Sequence, residues 1–173
     1  TTRPLSQNLM ERYLLTWLVE AAPPQTRLVL VMDRGYARVA LIRELNAMRQ
    51  PYILRAKADV VVRAYVRGKL VRLSLGRLPH RTGVAVRYSH VLYHDSQQEP
   101  VDVIVYRGPG FQAPWFLVVP PDSESWLTTE QVVKLYRQRM QIEHCFRDWK
   151  SHLGLRGLVL RVAKAERLLR LLM

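Results

Sequence analysis

Cysteine is almost absent from this chain. Cys145 stands alone, so no internal disulfide can form and a reducing cytoplasm is the natural compartment. Long apolar runs are missing as well: nothing approaches the roughly 20 residues that a membrane-spanning helix needs, and no signal peptide opens the sequence. Acidic residues are scarce, 14 against 27 Lys plus Arg in 173 residues, which leaves a formal charge of +13. An imbalance of that size makes the molecule repel itself and favours a polyanionic partner, with DNA or RNA the usual one. Two kinds of site find no support. Arg67-Gly68-Lys69 lacks the companion glycines of a phosphate-binding loop. Ser123 and Ser125 have no histidine at a recognisable spacing for a hydrolytic triad.

What is present is the composition of a folded domain, 49% hydrophobic and 24% charged, with enough length to bury one core. Asn8 to Ala22 carries Met10, Leu14, Trp17, Leu18 and Ala21 at helical spacing and stops at Pro23-Pro24. Arg27 to Met32 reads as a buried strand with a sharp exit at Asp33-Arg34-Gly35. Tyr36 to Gln50 is helical again, with Val39, Ile42, Leu45 and Met48 on one side, and Pro51 to Arg55 starts another strand. Such alternation predicts an α/β fold, a sheet flanked by helices. Residues 59–114 differ: Val71 to Leu75, Val84 to Tyr88 and Val101 to Val105 alternate as antiparallel strands, separated by Gly and Pro. This stretch is read as a β-rich insertion ahead of a core strand, Trp115 to Val119, and a long final helix.

That helix opens at Thr128-Thr129-Glu130-Gln131 with a capping-box pattern. At about 100° per residue, Tyr136, Arg139, Glu143 and Lys150 share an arc of about 60°. Leu135, Ile142, Cys145, Phe146 and Trp149 form the flank expected to face the core, while Lys134, Arg137, Gln141 and Asp148 are expected in solvent. Taken singly, a charged helical residue is usually part of a solvated face, and Asp33 is an ordinary strand-end residue. Taken together, a strand-end Asp and a helical Glu are two hard-oxygen ligands suited to Mg²⁺ or Mn²⁺. Two such ions serve in-line displacement at phosphorus, with Arg and Lys holding the phosphate.

The spacing Tyr136-x2-Arg139-x3-Glu143-x6-Lys150 resembles the YREK signature of bacterial insertion-sequence DDE transposases. Asp33-Arg34-Gly35-Tyr36, after an apolar strand, is similar to that family's second-aspartate motif. The separation of 110 positions from Asp33 to Glu143 (143 − 33) suits members with a β insertion between these carboxylates. The resemblance implies an RNase H-like fold, with Asp33 and Glu143 as catalytic metal ligands for Mg²⁺ or Mn²⁺. It also implies that Tyr136, Arg139 and Lys150 contact DNA, and that the reaction is cleavage and strand transfer at transposon ends. The implied partners are double-stranded DNA, as transposon ends and as target, and a second copy on paired ends. Met140 stands where members often have Trp.

No candidate for the family's first aspartate precedes Asp33, the first Asp in the chain. The chain also starts without Met and stops within an apolar-faced segment, Ala163 to Met173. It is therefore expected to be the C-terminal part of such a catalytic domain, residues 1–173, unable to catalyse alone. The alternatives are a DNA-binding remnant without catalysis and an RNase H-like nuclease. His90 and His94 lack a third ligand at metal-site spacing, Cys145 reads as a small apolar residue, and Trp115 and Trp126 are expected to pack rather than stack on bases.

Overall fold

The computed structural model describes the backbone of residues 7–152 and the side chains of residues 9–142. The chain forms two compact units, Thr1–Leu135 and Tyr136–Met173. In order, the elements are α1 (Gln7–Glu20), β1 (Leu30–Met32), α2 (Val39–Ala47), β2 (Tyr52–Ala56), β3 (Val61–Val66), β4 (Lys69–Ser74), β5 (Ala85–Tyr93), β6 (Glu99–Tyr106), β7 (Trp115–Val119) and α3 (Thr129–His152). Short 3₁₀ turns occupy Arg34–Tyr36 and Leu75–Arg77. The strands build one seven-stranded sheet in the order β1-β2-β7-β6-β5-β3-β4. Among the named strands of the described residues, only β1 and β2 pair in parallel. The architecture is a mixed α/β sheet consistent with an RNase H-like domain.

Local chemistry accounts for the connections. Parallel strands need a crossover, and α2 supplies it between β1 and β2. The β3–β4 hairpin turns at Arg67 and Gly68, both with positive φ (51° and 76°), the pairing that a tight primed turn demands. In β5 the register slips between Tyr88 and Val91, a bulge around His90 at φ 55°. The strand expected from Arg27 is shorter than predicted and joins the ladder only at Leu30. The helix expected from Tyr36 opens at Val39, because the turn after Asp33 consumes the residues between.

One face of the sheet carries the main core. Leu30, Met32, Leu54, Val103 and Val118 pack with Val39, Leu41, Ile42 and Leu45 of α2, while Met48, expected on that side, is 43% exposed. A polar clamp fixes α2 in place: the buried Glu99 accepts bonds from Arg43 Nε at 3.0 Å and Asn46 Nδ2 at 2.9 Å. Tyr52 completes it by donating to Asn46 Oδ1 at 2.8 Å. On the opposite face Ile53, Ile104, Leu117 and Val119 are fully buried, as is Val132 in the first turns of α3.

The apolar residues of α1 do not face this core. Leu15 packs against it, whereas Met10, Tyr13, Leu14 and Trp17 are each more than half exposed. Ion pairs tie the helix to the unit instead, Arg38 with Glu11 and Arg12 with Glu44. The stripe read from the sequence is real, and nothing among the described residues covers it.

Candidate active site

β1 delivers Asp33 to the end of the sheet. The residue keeps an extended backbone (φ −88°, ψ −179°), and its carbonyl accepts the Tyr36 N–H at 3.0 Å to close the 3₁₀ turn. In the parallel register Val31 lies opposite Ile53 and Met32 opposite Leu54, so the next residues along it are Asp33 and Arg55. Strand alternation puts Val31, Asp33, Ile53 and Arg55 on one face, the one opposite α2. Arg55 was not singled out from the sequence. Its signal was a lone cation inside an otherwise apolar strand, YILRA.

Beyond this pair the ends of β1 and β2 open into a cavity of 570 Å³. Arg34, Arg55, Lys57, His80 and Arg107 line it, with Asp59 among them. The loop after β4 leans on the loop after β2 at Gly76, whose N–H donates to Ala58 O at 2.8 Å. A Cβ there would lie 3.3 Å from both the Cβ and the carbonyl oxygen of Ala58, so any side chain would require Ala58 to give by a few tenths of an ångström. On another wall, Arg107 Nε donates to Phe111 O at 3.3 Å. Phe111 sits edge-on to Tyr106 with centroids 6.1 Å apart, and Trp115 packs beside both. Trp115 is thereby a core residue, as expected. Trp126 lies half-buried under the Arg27 guanidinium, 5.3 Å from its ring centroid.

A buried polar network sets the start of α3. Arg87 and Asp102 form an almost fully buried ion pair, Nε to Oδ2 at 3.0 Å. The rest of the guanidinium donates to Ser123 Oγ at 2.7 Å and to Leu127 O at 3.0 Å, while Asp102 Oδ1 accepts the N–H of His90 at the β5 bulge. Ser123 Oγ in turn donates to Pro120 O at 2.7 Å. The capping box then closes reciprocally: Thr128 N–H donates to Gln131 Oε1 at 2.8 Å and Gln131 N–H to Thr128 Oγ1 at 3.3 Å. The loop from β7 to α3 is thus pinned to the sheet by one arginine.

Within the second unit, Tyr136 is buried. The Arg139 guanidinium lies over its ring at 5.2 Å and reaches its hydroxyl at 3.5 Å. Ile142, expected to face the core, is instead 54% exposed, because the described residues of its unit give it no cover. Lys134, Arg137 and Gln141 are exposed as expected. Glu143 and Lys150 lie on α3, but their side chains fall outside the described residues, as do those of Cys145, Phe146, Asp148 and Trp149 and the whole segment Ala163 to Met173. Among the described residues no three His, Cys, Asp or Glu side chains are grouped to hold a metal. His90 sits at the bulge and His94 at a turn with φ 72°, so they do not share one regular strand face.

The family model for the transposase DDE domain matches residues 9–173. The chain belongs to the transposase DDE domain family. No curated protein matches the sequence. Membership places this transposase domain in an enzyme class that acts on DNA in transposition and generally works with divalent metals. Among the described residues of the domain no helix is long and apolar enough to cross a membrane.

Proposed function

We propose that this chain supplies the second aspartate, Asp33, and the glutamate, Glu143, of a DDE transposase that cleaves transposon ends and joins them to target DNA. The observation that carries the reading is the place of Asp33. It ends the parallel strand of a transposase DDE domain, extended and half-buried, on the sheet face it shares with Arg55. The donor chemistry fits the expected cofactor, since carboxylate oxygens are the ligands that Mg²⁺ and Mn²⁺ prefer. Asp33 and Glu143 would hold the ion. Once bound, it would supply Lewis-acid stabilisation of the attacking and leaving oxygens at phosphorus.

The remaining residues work on the DNA. Arg139 is held against the Tyr136 ring, an arrangement that pre-orients a planar cation for phosphate, and the YREK spacing assigns Lys150 to the same duty. Residues 59–114 are read as the β-rich insertion of this catalytic domain, since they carry β3 to β6, every one paired antiparallel. Double-stranded DNA is the partner, with a second copy acting on the paired end.

Titration of this chain with Mn²⁺, followed by electron paramagnetic resonance, tests the site directly. Binding should weaken in Asp33→Asn and in Glu143→Gln, with circular dichroism unchanged. Undiminished Mn²⁺ binding in both variants would remove the two residues from the metal site.

A further inference from the structure

The cavity at the ends of β1 and β2 is more basic than its surroundings explain. Four of its side chains, Arg34, Arg55, Lys57 and Arg107, carry positive charge against the single carboxylate of Asp59. Five arginines outside the cavity, Arg12, Arg38, Arg43, Arg72 and Arg87, each have a carboxylate partner. Among the described residues none of the four cavity cations makes such a pair. Crowding unpaired cations around a concavity costs Coulomb energy, and an anion seated between them returns it.

The geometry also selects among anions. Arg55 is the penultimate residue of β2 and is half-buried, so its stem is held by packing rather than swinging in solvent. Arg107 is tied to Phe111 O, and its loop is stiffened by the Tyr106–Phe111–Trp115 cluster. Two positioned guanidinium groups present planar donor forks, which match the oxygens of a tetrahedral phosphate better than a lone ammonium does. The volume of 570 Å³ falls within the range of small-ligand clefts, about 300–1,000 Å³. It has room for a sugar-phosphate unit but not for a duplex. The cavity also shares Arg55 with the face of Asp33, so an occupant would be one step along the strand from the reacting phosphate.

We propose that this cavity is a backbone seat for one phosphodiester of the DNA strand, adjoining the Asp33 site, with Arg55 and Arg107 as its principal contacts and Lys57 and Arg34 at its rim. The inference rests on the transposase reading above. Arg55 and Arg107 are positioning residues here. They fix the register of the strand and take no part in bond making.

The test is equilibrium binding of the full chain to a transposon-end duplex without metal, measured by fluorescence anisotropy over a range of salt. Arg55→Met and Arg107→Met keep the packed stem of each side chain and remove the charge. Each should lower the slope of log affinity against log salt by roughly 0.9, the value of one lost phosphate contact. Lys57→Gln, at an exposed position, should lower it in the same direction and keeps the test open should the buried-stem variants fail to fold. The control is Arg49→Asn, an equal loss of charge at the opposite end of β2, where the backbone (φ 53°) suits asparagine. It should leave the slope near that of the unaltered chain.

Equal changes in the cavity variants and the control would overturn the seat, because diffuse surface charge would then account for binding. The transposase reading is decided separately, by Mn²⁺ binding to Asp33→Asn. Loss of slope in Arg55→Met with intact Mn²⁺ binding in Asp33→Asn and Glu143→Gln would keep the seat and sink the metal site. The reverse pattern would keep the metal site and sink the seat.

Discussion

Asp102 interrupts an apolar strand, as the one polar residue of the run Val101 to Val105. The structure buries it, since both faces of the sheet are covered at β6. Its charge is tolerated only because Arg87 meets it and spends its remaining donors on Ser123 and the Leu127 carbonyl. Removing one partner leaves an uncompensated buried charge, so Arg87→Met should destabilise by about 3–5 kcal/mol in chemical denaturation. The double variant Arg87→Met with Asp102→Leu should recover much of that loss. A single variant within 1 kcal/mol of the parent, on the order of an exposed pair, would show that the network is not what anchors the loop. Residues of this kind are invisible to periodicity, because burial depends on what covers the second face. Asp33 was legible for the opposite reason: an aspartate followed by Arg-Gly at a strand end is a local pattern. Arg55 was not, because its meaning comes from the strand beside it.

Among the elements, legibility followed local chemistry. α3 could be started at the correct residue because a capping box is written in four consecutive positions, and both of its reciprocal bonds form. Thr128→Ala should cost about 1 kcal/mol of stability and shift the melting temperature down, with Thr128→Ser nearly neutral. β7 was equally plain, a run of five residues that are all buried. The β1 boundary was not, since Arg27 to Val29 have strand-like composition but no ladder partner until Leu30. Nor was the outward turn of α1. Helical spacing predicts a stripe and says nothing of which neighbour it meets, and here Glu11 and Leu15 take the inner side.

For the molecule as a whole, the buried phenols set an alkaline limit. Burial and the Asp59 carboxylate push Tyr93 up to about 12, and burial together with Glu99 pushes Tyr52 higher still. Both lie above the ordinary tyrosine value of about 10, so the native state binds these protons more tightly than the unfolded chain does. Their contribution to stability is complete below about pH 10 and falls as pH rises through 12. Tyrosinate absorbance and circular dichroism should therefore change together in that window, and Tyr93→Phe should make the loss of stability less steep. Ionisation of every tyrosine near pH 10 with the fold intact would contradict this. The sheet order that creates these environments was beyond the sequence, because β7 comes back between β2 and β6 through pairings that no local signal specifies.

The uncovered stripe of α1 has a practical consequence when set beside the net charge of +13. At low ionic strength mutual repulsion holds the molecules apart, and Met10, Tyr13, Leu14 and Trp17 meet only water. Added salt shortens the reach of that repulsion to about 10 Å at 0.1 M, while contact between exposed apolar patches is left untouched. The same addition that frees the protein from DNA thus lets its copies meet. Measured at rising protein concentration, sedimentation should show high-salt association that Trp17→Lys and Leu14→Lys reduce, and the colloidal behaviour of this domain would then be governed by one helix.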